Sequence, residues 1–158
     1  MSGQAIYRTP IAPDWIDYNG HVRDAYYGLI VSYALDAMMD QLGMDAAYRK
    51  ASDCTLYTVE THTHFLREIG AHDSVEVRAR VLGGDAVRLH AALELICDGS
   101  DKPAATCEVM MVHVCQTPAV RKAPFPDQVA AAIAHLRQAT AAMPADGPGS
   151  RHMEVRSR

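Results

Sequence analysis

Asp17 stands four residues before His21 in the string Asp17-Tyr18-Asn19-Gly20-His21-Val22-Arg23-Asp24, and from there the chain turns almost wholly apolar. A carboxylate beside the start of a helix faces N–H groups that have no upstream carbonyl to bond, so a base or nucleophile is joined to a site for negative charge. That combination suits acyl transfer. Attack on a thioester carbonyl creates an oxyanion, and an amide fixed where the charge appears lowers the barrier by roughly 3 kcal/mol. Asp17 is the candidate catalytic carboxylate, as nucleophile through a mixed anhydride or as general base on water, and the sequence leaves both routes open. The backbone amides of Arg23 and Asp24 are the candidate oxyanion donors, with Asp24 expected as helix N-cap. The alternative for Asp17 is a plain Asx turn within Asp-Tyr-Asn-Gly.

Asn19 and His21 are candidate substrate contacts, and support of this loop is their other reading. Arg23 offers a charge to Asp17, Asp24 or a phosphate, or is a solvated helix-entry arginine. Trp15, Tyr18, Tyr26 and Tyr27 crowd the same stretch in a chain of few aromatics. Ring faces are the recognition chemistry for a cation that lacks N–H donors, so Trp15 and Tyr26 are candidate contacts for a cationic acyl group, with packing as the alternative. Glu60, His62 and His64 recur every second residue on one strand face. Without a third ligand of suitable spacing they suggest a polar sheet face or subunit contact, and no metal or other cofactor is expected.

The elements that must position these groups follow from periodicity. Ala5–Ile11 reads as a short strand closed by Pro10 and Pro13. A helix is expected from Asp24 to about Leu42, stopped by Gly43. Its polar residues Gly28, Ser32, Asp36 and Asp40 form one row and the rest is apolar, as in a helix buried on several sides. Residues 44–54 read as a polar linker. Alternation then places Tyr57, Val59, Thr61, Thr63 and Phe65 on one strand face, Val75 to Val81 on the next strand, and Val87 to Leu95 on a third. Turns at Gly83-Gly84-Asp85 and Asp98-Gly99-Ser100-Asp101 separate the later strands, and a last one spans Thr106 to Cys115. The sum is α+β: four hairpin-linked strands and a first strand curled round one helix. A surface helix over 127–142 has Val129, Ile133 and Leu136 as its apolar side. Residues 1–143 form one domain, and 144–158, rich in Pro, Gly, Ser and Arg, read as a flexible tail.

At 158 residues one domain suffices, and a net charge of −4 without a basic run excludes a general nucleic-acid binder. The four cysteines have no Cys-x-x-Cys spacing and read as reduced thiols. Neither a signal-peptide pattern nor an apolar run of bilayer length is present, so the expectation is a cytoplasmic protein with no membrane partner.

The stretch Asp14-Trp15-Ile16-Asp17-Tyr18-Asn19-Gly20-His21-Val22-Arg23-Asp24-Ala25-Tyr26-Tyr27 resembles the signature of hotdog-fold acyl-CoA thioesterases of the 4-hydroxybenzoyl-CoA thioesterase-like group. Asp17, Gly20, His21, Val22, Asp24 and Tyr27 fill its places, while Arg23 and Asp24 stand where the group often has Asn. The resemblance covers roughly residues 5 to 116. It implies a hotdog fold, Asp17 as catalytic carboxylate, and the Asp24 amide as the polarising donor. It further implies a small-molecule acyl-CoA substrate and a homodimer or dimer of dimers, with the site between subunits and Glu60 and His62 lining the partner's pocket. The narrower string from Trp15 to Tyr27 is similar to the betainyl-CoA thioesterases of carnitine and betaine catabolism. The rivals are a hotdog hydratase or dehydratase, whose pattern requires a Pro after the Asn and one more residue before the His, and a non-catalytic acyl-CoA-binding module.

Overall fold

The computed structural model describes residues 3–141. In chain order the elements are β1 (Gln4–Pro10), a 3-10 turn (Pro13–Trp15), α1 (Asp24–Gln41), α2 (Ala46–Ser52), β2 (Cys54–Phe65), β3 (Ser74–Gly84), β4 (Arg88–Cys97), β5 (Ala105–Cys115), β6 (Arg121–Lys122) and α3 (Asp127–Thr140). The expected tail, 144–158, lies outside the described residues.

Period-two apolar residues give the sheet an inner face. Val75, Val77, Ala79 and Val81 of β3, Leu89, Ala91, Leu93 and Leu95 of β4, and Ala105, Cys107, Val109 and Met111 of β5 are all buried in one core. Against it α1 lays Tyr27, Ile30, Val31, Ala34, Leu35, Met38 and Met39, the three-and-four spacing of one broad helix face. This is the α+β hotdog arrangement, an antiparallel sheet curled over a long helix. Burial is less complete than the apolar composition of α1 suggests: Tyr33 is exposed and Tyr26 only partly covered. Gly43 stops the helix as expected, at φ +83°, a conformation costly for any residue with a Cβ.

Three sequence expectations are corrected. The strands are not all hairpin-linked: the order is β1-β3-β4-β5-β2, with β6 beside β5, so β2 pairs with β5, and β1 takes the place beside β3. The supposed linker contains α2, whose N-cap Asp45 accepts from the Tyr48 N–H at 2.9 Å. The cysteines are not all free. Cys54 and Cys115 lie directly opposite in the β2–β5 register and are disulfide-bonded, leaving Cys97 and Cys107 as thiols. Burial raises the pKa of both thiols, which keeps them protonated.

The face pattern of β2 also departs from simple alternation. A bulge at Val59 sets Thr58 opposite Met111 and Glu60 opposite Met110. Before it the even residues Cys54 and Leu56 face inward. After it the odd residues do so: Thr63 bonds the buried Cys107 Sγ, and Phe65 meets Tyr27. Tyr57 therefore lies on the opposite face from Thr61, Thr63 and Phe65. Among the described residues no helix is long and apolar enough to cross a membrane.

Candidate active site at the start of α1

Residues 16–22 form a small closed loop. Ile16 and Val22 pair in an isolated bridge, the Asp17 N–H donates to the His21 carbonyl at 2.9 Å, and the Gly20 N–H donates to the Asp17 carbonyl at 3.0 Å. Gly20 supplies the positive φ, +84°, that this tight reversal requires. Within the loop the Asp17 carboxylate accepts the Asn19 N–H on Oδ1 at 2.8 Å. The Asx turn is thus present, and it holds the carboxylate in one orientation.

The loop is clamped beside α1 from two sides. The Arg23 N–H donates to the Trp15 carbonyl at 2.9 Å, and the Val22 N–H to the Ile69 carbonyl at 2.8 Å. His21 pairs through its backbone with Gly70, and its Nε2 lies 3.3 Å from Glu68 Oε2. These bonds alter the expected donor pair. The Arg23 amide is already used by Trp15, so only the Asp24 N–H of the two lacks an acceptor among the described residues. Asp24 is also not the N-cap. Arg23, with extended backbone at φ −61°, ψ 142°, holds that position, and Asp24 is the first helical residue, its own Oδ1 accepting from the Ala25 N–H at 2.9 Å. An acidic side chain in the first turn still complements the helix dipole.

At this helix start a cleft of about 310 Å³ is lined by Val22, Asp24, Tyr27, Phe65, Leu66, Arg67 and Glu68. Tyr27 is buried, its hydroxyl donates to the Arg67 carbonyl at 3.3 Å, and its pKa is raised, chiefly by burial, so the phenol is a neutral donor. The Arg67 guanidinium is turned toward the 100–103 turn, donating to Ser100 Oγ at 2.7 Å and to the carbonyls of Lys102 and Pro103.

Of the residues singled out from sequence, Asp24 and Tyr27 line this cleft. Asp17, Asn19, His21 and Arg23 belong to the loop that leads into it. Trp15 and Tyr26 stack on each other, centroids 5.7 Å apart and planes at 18°, and are not in its lining. Glu60 and His62, expected in a partner subunit's pocket and not in this one, are paired opposite Met110 and Glu108 and project from the sheet face away from α1. The residues that sequence reasoning missed are Phe65 to Glu68. Their only sequence signal is a Phe-Leu pair running into two charged residues at a strand end. No group of three or more metal-ligating side chains converges among the described residues.

A larger groove of about 580 Å³ lies between α3 and the β3–β4 turn. Its carboxylate, Asp85, is held by Arg88 through two side-chain bonds of 2.8 and 2.6 Å, and Asp127, the first residue of α3, is not in its lining. The smaller cleft is the one lined by Asp24, whose amide lacks an acceptor among the described residues.

A family model described as the Thioesterase-like superfamily matches residues 11–133. The betainyl-CoA thioesterase of Pseudomonas aeruginosa is 44% identical over 138 residues, 87% of this chain and 86% of that protein. An L-carnitine dehydrogenase/betainyl-CoA thioesterase from Agrobacterium fabrum is 37% identical over 133 residues, 83% of this chain and 26% of that larger protein. A solved hypothetical protein from Staphylococcus aureus, in complex with CoA, superposes with a TM-score of 0.86 at 27% identity, covering 99% of this chain and 98% of the other.

Proposed function

The chain belongs to the Thioesterase-like superfamily, and from that premise we propose that it hydrolyses betainyl-CoA to betaine and CoA. Thioester hydrolysis follows from the family and from relatives that carry the activity in their names, in preference to hydration of an enoyl-CoA or binding without turnover. The likeness to the Pseudomonas aeruginosa enzyme over most of both chains supports the betainyl group. The Agrobacterium fabrum protein, in which the same region accompanies an L-carnitine dehydrogenase, supports a place in carnitine catabolism. A CoA thioester substrate favours a cytoplasmic site of action. Assembly as a homodimer or dimer of dimers completes the reading.

One observation carries the mechanism: the amide of Asp24 opens α1 with no acceptor among the described residues, beside a loop that holds the Asp17 carboxylate in a fixed orientation. The thioester oxygen accepts from the Asp24 N–H, and the start of the helix stabilises the charge that develops there. Asp17 either attacks the carbonyl carbon, expelling CoA thiolate and leaving an acyl anhydride that water then hydrolyses to betaine and free Asp17, or takes a proton from a water that attacks the carbonyl and expels CoA thiolate directly. Asn19 and His21 hold the Asp17 loop, and Arg23 stands at its exit for a CoA phosphate.

The test is Asp17→Asn, which keeps the Asn19 N–H acceptor while removing basicity. Thiol release from betainyl-CoA is expected to fall by about 100-fold or more, with CoA affinity by calorimetry retained. Unchanged turnover would remove Asp17 from the mechanism.

A further inference from the structure

The betainyl group imposes a distance. Its trimethylammonium is separated from the thioester carbonyl by a single methylene, so the groups that recognise the cation must sit beside the donor that binds the oxygen. Asp24 supplies that donor, and the cleft it lines holds two aromatic rings and a second carboxylate. Tyr27 and Phe65 meet edge to face, centroids 5.1 Å apart and planes at 86°. Tyr27 is buried, whereas Phe65 is 56% exposed, a large ring left open to solvent at the lip of a cleft. Glu68 also lines the cleft, with its side chain 76% exposed and its carboxylate near His21.

The charge balance of this wall is negative. Asp24 and Glu68 are its acids, and Arg67, the cation in the lining, has its guanidinium engaged by Ser100, Lys102 and Pro103. A quaternary ammonium has no N–H to donate, so a ring face and a nearby carboxylate are the two interactions available to it. Trp15 and Tyr26 stack on each other and are not in the lining of this cleft.

We propose that Phe65 and Glu68 set the specificity of this site for a quaternary ammonium acyl group, Phe65 contacting the cation through its ring and Glu68 serving as its counter-ion, with Tyr27 and Asp24 as the inner wall. This rests on the thioesterase reading above. It assigns selectivity to the segment that follows β2, not to the aromatic residues around the Asp17 loop.

The experiment compares kcat/KM for betainyl-CoA and for its neutral isostere, 3,3-dimethylbutyryl-CoA, in the wild-type chain and in Phe65→Leu, Glu68→Gln and Trp15→Leu. Glu68 is exposed, and Phe65→Leu keeps an apolar side chain against Tyr27 at a position more than half open to solvent, so the core is preserved. The wild type is expected to favour betainyl-CoA, with the ratio of the two constants falling by about tenfold in each of the first two variants and holding in Trp15→Leu. A ratio that survives in both Phe65→Leu and Glu68→Gln, or that collapses in Trp15→Leu instead, overturns the assignment while leaving the thioesterase intact. A wild type that hydrolyses neither thioester removes the functional reading itself.

Discussion

The backbone at Arg23 and Asp24 passes from extended to helical within one residue, and the two N–H groups on either side of that change have opposite fates. Arg23 still belongs to the paired loop and donates to Trp15, whereas Asp24 is the first amide with no partner behind it. Composition shows that a helix starts here, but not which amide the incoming chain consumes. That depends on the Trp15 carbonyl, reached only because the 3-10 turn folds the chain back. The tight loop that carries Asp17, Asn19 and His21 was legible for the converse reason, since turn chemistry is local. Phe65 and Glu68 were not, because they reach the helix start through pairing of residues 69 and 70 with 21 and 22. Another residue-scale property is open to direct measurement. Asp85 accepts from the Arg88 side chain and from the Val87 and Arg88 amides, and these hold its pKa at about 2. A carboxylate whose folded pKa is depressed adds stability that is present above its unfolded pKa and is lost as pH falls through the folded value. The expected loss therefore lies between roughly pH 4 and the Asp85 midpoint. An NMR titration should find that midpoint near 2, and Asp85→Asn should flatten the fall in stability over the same interval. An ordinary midpoint would show that the turn does not hold in solution.

Elements that answer to a single period were readable from sequence, and those that answer to tertiary contacts were not. α1 and the runs Val75 to Val81 of β3 and Leu89 to Leu95 of β4 have uninterrupted patterns, and Gly43 and the two glycine-bearing turns punctuate them. β2 misled because the bulge at Val59 exchanges its faces, and a bulge shows in the register, not in the residue types. α2 is too short for periodicity, with no residue of it fully buried, and one of its ties to the sheet is a long-range hydrogen bond. Tyr48 reaches His113 of β5, a buried histidine whose Nδ1 lies 2.8 Å from the Ala123 carbonyl and whose Nε2 lies 2.8 Å from the Tyr48 hydroxyl. A carbonyl can only accept, so Nδ1 carries the proton and Nε2 accepts from the phenol. Tyr48→Phe deletes the donor and leaves a buried acceptor unpaired. The expected cost is about 1–3 kcal/mol in denaturant-unfolding experiments, with the slope of the transition unchanged. A variant as stable as the wild type would mean that α2 is not anchored to the sheet through this bond.

At the scale of the molecule, the open edge of the sheet is the feature most in need of a partner. β1, at one end, is seven residues long and closes on Pro10, which cannot donate to a further strand. β2, at the other end, is twelve residues long, and beyond it no strand pairs among the described residues. It exposes Tyr57, Val59 and Phe65, with Val59 59% accessible. A long edge with apolar side chains is an association surface unless charge or proline blunts it. The proposed homodimer would cover this edge with a second copy of the chain. Light scattering of the eluted protein is then expected to give a dimer or a multiple of it. Val59→Lys puts a charge at the middle of the edge, where it needs no change in the core. The variant should elute at lower mass with its far-UV spectrum intact and with thioesterase activity reduced in step. A monomeric wild type that is fully active would show that the cleft at α1 is complete within one chain, and β2 would then need another explanation for its exposed apolar edge.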